Sequence, residues 1–402
     1  MRRIICFALL FICAVTLSSV KVSADDASSQ AWPIEVKCIP DPVLPPNGWT
    51  YPGTILMSGY AGIHGIQADW ETPHVVAYFR KDANGDYPLY GGQLSPDAHW
   101  YAAPIGETWA EISFNNYWDV RGVRLYDLSG ENHEFPLDLQ TYRDLYRYDP
   151  VAWGYLPVEW YDPESLVIGG LLFHPLDNQV ELAIYDTVGS VYDDRFFSPD
   201  FTRVYGATLL DANGQVVTYQ TLKTFDYSYA VGLARLDDPK AGVVDLGKIT
   251  GLSWRRDSAG FVAEVEADNQ LVLYDHDGNR QESVFNLGEE GVNFHRSASG
   301  RNDLRWSPDS QQYSFSYSPH YPEQIHVYIA SIKDKIVTDT CLNPISQPVW
   351  SPDGKMLAYL ALARENLKII VVDLETWKSY DMGRMSGRYA LSGSPEMVGW
   401  RE

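Results

Sequence analysis

Three histidines near one another in the chain, His295 in "GVNFHRS" and His320 and His326 in "SPHYPEQIHVY", are of the residue type that holds divalent metals. Imidazoles converging on one point could bind a zinc-like ion and leave a coordination position open for chemistry. The competing reading makes them loop and strand residues bonded to carbonyls. Their spacing does not select the metal, so the expected cofactor set is none, with a divalent metal as the exception. His64 in "AGIHGIQADW" reads as a turn residue whose ring is satisfied.

Two further stretches, "DANGD" (82–86) and "DHDGN" (275–279), place oxygen ligands at alternate positions in the manner of calcium loops. Neither has the distal Glu that an EF-hand requires. Both fall between β-rich runs, where a hairpin turn is needed. Asp309 and Asp353 each follow Ser-Pro and belong to turns rather than to a catalytic acid pair. The chain lacks G-x-S-x-G, H-E-x-x-H, paired C-x-x-C, a P-loop and G-x-G-x-x-G, which removes the ordinary hydrolase, metalloprotease and nucleotide-binding signatures. No catalytic residue is assigned.

The first residues, "MRRIICFALLFICAVTLSSVKVSADD", join two arginines to an apolar run from Ile4 to about Leu17 and a small-residue site, Val22-Ser23-Ala24. This is the pattern of a secretory signal peptide over residues 1–24, too short to span a membrane. A secreted or periplasmic protein without stable membrane insertion after cleavage is expected. The net charge of −22 becomes −25 once Arg2, Arg3 and Lys21 leave, because that segment holds no acids. Such a body is repelled by phosphate backbones, so no nucleic-acid partner is expected. Cys6 and Cys13 leave as well, and Cys38 and Cys341 remain as an even pair in an oxidising compartment.

The elements that must position these residues are legible from a repeat. "VWSPDG" at Trp350, Ser351, Pro352, Asp353 and Gly354 has a near copy at Trp306, Ser307, Pro308 and Asp309, and weaker ones at Ser95-Pro96-Asp97 and Ser198-Pro199-Asp200. Taking the residue before Ser as marker, positions 94, 160, 197, 254, 306 and 350 are spaced by 66, 37, 57, 52 and 44 residues. That is centred near the length of a propeller blade, about 50 residues. Ser can bond the backbone, Pro presets φ, Asp tolerates the turn and Gly takes the tight exit, so each motif ends one strand and launches the next. The marker Trp buries a large flat side chain between neighbouring sheets.

Further turns lie in "YDLSGENHEF", "LYDHDGNRQESV", "SIKDKIV" and "VDLETWKSY", while "ARLDDPKAGVVDLG" (234–247) reads as an extra hairpin. No segment shows helical periodicity with caps. The fold class is therefore all-β: a seven-bladed β-propeller, with six blades as the alternative, since the 37-residue step is short. Trp49 is a weak marker for the first unit. Trp400 falls 50 residues after Trp350, so the C-terminal strand is expected to complete the first blade and remove an exposed edge. Residues 25–40 form a leader and 41–402 the propeller domain. Ring closure would bring Cys38, before the first blade, near Cys341, at the end of the sixth unit, as a disulfide; two separate buried thiols are the alternative.

The repeated "WSPDG" phrase, followed by an apolar strand in an exported chain, resembles the TolB-like β-propeller repeats. The same repeats occur in the propellers of prolyl-oligopeptidase-type and tricorn-type peptidases. The resemblance covers roughly residues 50–402. It implies a ring whose loops bind a ligand. The reading drawn from it is a non-catalytic binding or interaction module for a protein or glycan ligand, served by aromatic clusters such as "FNNYWDV" (114–120) and "YRYDPVAWGYLPVEWY" (146–161). The alternative is a polysaccharide lyase or glycoside hydrolase acting at the channel.

Overall fold

The described strands are short, and within a sheet most pair with the strand that follows them in the chain. The computed structural model describes residues 30–59, 62–69, 73–78, 87–88, 92–106, 120–128, 134–138, 158–168, 171–174, 177, 179–182, 196–210, 212–216, 228–288, 304–318, 325–363, 366–385 and 396–402. Contacts divide the chain into Met1–Gln30 and Ala31–Glu402. Every described strand lies in the second unit.

Among the described residues, seven sheets, almost wholly antiparallel, account for these strands. In chain order we number them by their first strands. Sheet 1 holds Thr54–Gly59, Gly62–Ile66 and His74–Tyr78; sheet 2 is built on Trp100–Gly106, with Gln93–Leu94 along it; sheet 3 begins at Val158–Asp162 and sheet 4 at Phe196–Phe197. Sheets 5, 6 and 7 begin at Ile249–Trp254, Arg305–Trp306 and Val349–Trp350. The last strand, Glu396–Arg401, pairs antiparallel with Thr54–Gly59, joining Trp400 to Ile55. Among the described residues, helix is limited to one 3-10 turn, Pro239–Ala241.

That turn corrects one sequence expectation. The 234–247 stretch is no extra hairpin: Ser228–Arg235 and Val243–Val244 are the third and fourth strands of sheet 4. A proline-started 3-10 turn replaces the short loop of the other units. Trp49 is also not a strand marker. It lies outside any strand, its ring 4.2 Å from that of Tyr380, and Trp400 fills the marker position of sheet 1.

Central strands such as Gly62–Ile66 and Gln312–Tyr317 are buried on both faces. In Gln312–Tyr317 the sequence still alternates, because the small hydroxyl residues Ser314 and Ser316 fill the second buried face opposite Tyr313, Phe315 and Tyr317. The core is accordingly a series of clusters between successive sheets. Leu56 and Ile63 of sheet 1 meet Tyr101 and Tyr126 of sheet 2. The indole of Trp160 in sheet 3 donates to Gln93 O in sheet 2, and Leu172 of sheet 3 packs on Phe201 of sheet 4. Tyr205 and Leu233 join sheet 5 through Trp254 and Phe261; Phe285 joins sheet 6 through Phe315 and Tyr328. Val327 and Ile329 meet Trp350 and Tyr359, and sheet 7 returns to sheet 1 where Ile369 and Val371 meet Ile55 and Trp400. Each fully buried aromatic or aliphatic side chain here contributes roughly 1.5–3 kcal/mol.

Residues 31–43 run across the outer strands of sheets 5, 6 and 7. Trp32 N donates to Val284 O, Ile34–Val36 pairs in parallel with Ile336–Asp339, and Val43 bridges Tyr380. Trp32 is buried and its indole donates to Glu282. An edge strand covered in this way cannot pair with another chain.

Candidate functional site

The repeated motif forms the same object four times. Ser95, Ser198, Ser307 and Ser351 donate to the Oδ1 of Asp97, Asp200, Asp309 and Asp353 at 2.5–2.6 Å. Those hydroxyls accept in turn from the backbone N–H five residues on, at Trp100, Arg203, Gln312 and Met356. Each Asp also accepts from the N–H two residues on, at His99, Thr202, Gln311 and Lys355. Pro96, Pro199, Pro308 and Pro352 occupy the turn position between them. These acids stabilise hairpins. The residue after Asp is left-handed in every case: Ala98, Phe201 and Ser310 at φ of 56°, 53° and 57°, and Gly354 at 71°.

Sequence reasoning gave the marker Trp a packing role only. Its indole N–H has a second one, donating to the carbonyl of the residue before the previous unit's marker. Trp306 bonds Ser253 O at 3.2 Å and Trp350 bonds Arg305 O at 2.9 Å, as Trp160 bonds Gln93 O. A regular offset to a backbone group is invisible in side-chain identities, which is why the pattern gave no sign of it.

In sheet 5 the motif becomes Trp254-Arg255-Arg256-Asp257. Arg255 takes the place of Ser and bonds Asp257 at 3.0 and 2.6 Å. Arg256 takes the place of Pro; desolvation and the charge of Arg305 on the neighbouring sheet both lower its pKa. Both guanidinium groups belong to exposed residues, and like charges that feel one another in this way are eased by an anion.

A polar network joins sheets 4 and 5. Arg203 is 3% exposed and bonds Asp237 at 2.6 Å and Asp277 at 2.7 Å. Its hydrogen bond and charge hold the Asp277 carboxyl below its ordinary pKa. Burial alone would raise Asp237 and Asp200, but hydrogen bonds from Ser198 and Thr202 lower Asp200, and Arg235 and Arg203 lower Asp237. His276 bridges Ser258 O at 2.6 Å and Thr202 Oγ1 at 3.1 Å. The "DHDGN" loop is thereby committed as a hairpin: Asp275 accepts from the N–H groups of Asp277 and Asn279, and Asp277 is held by Arg203.

His295 and His320 lie outside the described residues, as do "DANGD" and most of both aromatic clusters. His64 is buried within Gly62–Ile66 rather than in a turn, and burial lowers its pKa. His326 begins the third strand of sheet 6, with Nδ1 3.0 Å from Asp339 Oδ1. The sulfurs of Cys38 and Cys341 are joined, with their Cα atoms 4.8 Å apart. His326, Asp339 and Cys341 place one ligand-type atom each within 4.8 Å of one another. No helix among the described residues is long and apolar enough to cross a membrane.

No family model and no curated protein matches the chain. Among solved structures it is similar to TolB from Acinetobacter baumannii, at 13% identity and a TM-score of 0.41, over 86% of this chain and 66% of that one. The chain thus spans just under two thirds of that protein. It is also similar to an oligogalacturonate lyase in complex with manganese, at 12% identity and 0.43, over 77% and 84% of the two chains. An oligogalacturonate lyase from Vibrio parahaemolyticus matches at 12% and 0.42, over 84% and 87%.

Proposed function

We propose that the seven sheets are the blades of a seven-bladed β-propeller closed by Glu396–Arg401, and that the protein is a non-catalytic binding module acting outside the cytoplasm on a protein or glycan ligand. Support for the ring comes from the cyclic order of the inter-sheet clusters, sheet 7 returning to sheet 1. The observation that carries the binding role is the commitment of the repeated acids: Asp97, Asp200, Asp309 and Asp353 each accept from their own Ser and from the backbone. A carboxylate so occupied is poorly placed to shuttle protons or attack a substrate. The exposed Arg256 and Arg305, whose charges act on one another, suit an anionic group of the ligand. The disulfide accords with an oxidising compartment.

Thermal shift of the purified protein against panels of glycans tests this reading, because a ligand of the native state raises the melting temperature. An acidic glycan should raise it, and Arg256→Ala should reduce the shift. Product formed from any polysaccharide by the same preparation would overturn the non-catalytic assignment.

A further inference from the structure

Four side chains of metal-ligating type meet at the outer corner of sheet 6. Past the pairing of Tyr328 with Asp339, Thr340 N donates to Val327 O and Val327 N to Leu342 O, which holds the 340–342 segment beside the start of the His326 strand. Cys341 lies just past the end of Ile336–Asp339 at a left-handed φ of 56°, and one ligand-type atom each of His326, Asp339 and Cys341 comes within 4.8 Å of the others. Cys38 arrives on the adjoining segment, where Lys37 N donates to Asp339 O and Ile39 N to Thr340 O. The Asp339 carboxylate also accepts from Cys341 N at 2.8 Å. All four are partly accessible: Cys38 is exposed, and His326, Asp339 and Cys341 are intermediate.

We propose that the disulfide and a soft divalent cation are alternative occupants of this corner: with the bridge opened, Cys38, Cys341 and His326, supported by Asp339, form a metal site. Two thiolates and an imidazole with a carboxylate ligand or partner match the donor preferences of zinc. The Asp339–His326 bond provides the carboxylate–imidazole pairing that orients ligating histidines. A dithiol supplies two electrons and two protons, leaves as its own cyclic disulfide, and yields two cysteine thiols. Cation binding then displaces both thiol protons. The segment from 31 to 43 would thus stay fastened to sheet 6 in either redox state, by a covalent bond in one and by coordination in the other.

Cobalt(II) is the probe, added to the full chain before and after reduction with a phosphine, which becomes its oxide and does not compete for metal. Reduced protein should bind one equivalent, with thiolate-to-cobalt absorption in the near ultraviolet and the intense visible bands of four-coordinate cobalt. Oxidised protein and the Cys38→Ser/Cys341→Ser variant should show neither, and His326→Ala should bind about tenfold or more weakly. Zinc should block alkylation of both cysteines in the reduced wild type, a readout that needs no variant to fold. Equal cobalt absorption in the reduced wild type and the double serine variant would overturn the proposal. So would unaltered affinity in a folded His326→Ala, or loss of native tryptophan emission on reduction that zinc fails to restore.

Discussion

The joint between sheets 6 and 7 and the joint between sheets 4 and 5 solve one problem with different chemistry. The first is apolar: Val327 and Ile329 against Trp350, Leu357 and Tyr359, with one indole bond to a carbonyl. At the second, Tyr205, Leu233 and Trp254 pack together, and above them Arg203, Asp237, Asp277, Asp200 and His276 link turn to turn. The repeat fixes the position of each joint. Its chemistry is free to vary, because only the backbone offset and the filled volume are shared. The apolar joint should therefore respond to volume and ignore pH, while the ionic joint does the reverse.

The largest effect expected is from Trp350→Ala, which removes the buried ring and its bond to Arg305 O together. The cost should be about 3–5 kcal/mol in urea-midpoint measurements. A loss below about 1 kcal/mol would mean that the two sheets hold without the marker Trp. Next in size is the Cys38→Ser/Cys341→Ser variant, whose bridge spans a sequence separation of 303. Removing it should cost about 2–4 kcal/mol, read in the same assay without added metal.

Arg203→Met tests the ionic joint. The Asp237 and Asp277 side chains are 41% and 58% exposed, so solvent takes over much of what Arg203 gives them, and about 1–2 kcal/mol is expected. The pH dependence is the sharper readout. Asp200, Asp237 and Asp277 have folded-state pKa values below their unfolded ones. Their contribution is fully present above the unfolded value, near ~3.9, and is lost as pH falls through the lower folded values. The wild type should lose stability steeply in that acid window, and Arg203→Met should flatten the limb. Trp350→Ala should shift the whole curve down without changing its shape. Identical acid limbs in wild type and Arg203→Met would remove the distinction between the two joints.

How much was legible follows the same division. Trp306 and Trp350 with their Ser-Pro-Asp turns located the strand boundaries, because turn chemistry is local and repeats itself. Unit order brought Cys38 near Cys341 but left a disulfide and two buried thiols both open; the structure joins the two sulfurs. Arg203 was not legible: its partners lie 34 and 74 residues away, and nothing in "TRVYG" marks a buried cation. The segment Ile34–Val36 read as a leader because three residues, all exposed, carry no strand pattern; its pairing depends on Ile336–Asp339 offering an edge. His326 was singled out as a member of a histidine set, whereas its described partner is an aspartate two strand positions beyond any motif.

The smallest effect isolates backbone strain from everything else. Gly354 and Ser310 occupy the same turn position in sheets 7 and 6, both left-handed. A Cβ at Gly354 would meet nothing nearer than Pro308 Cδ at 3.6 Å, so Gly354→Ala tests φ alone and should cost about 1 kcal/mol. At Ser310 the reverse change relieves the same strain and removes a buried hydroxyl with no hydrogen-bond partner. Against this stands the greater freedom glycine gives the unfolded chain, worth roughly 0.4–1 kcal/mol. Ser310→Gly should therefore stabilise by no more than about 1 kcal/mol, resolved as a small rise in the urea midpoint with unchanged slope. A clear loss would mean that the seryl side chain supports the turn through packing, and that the position is not interchangeable between the two units.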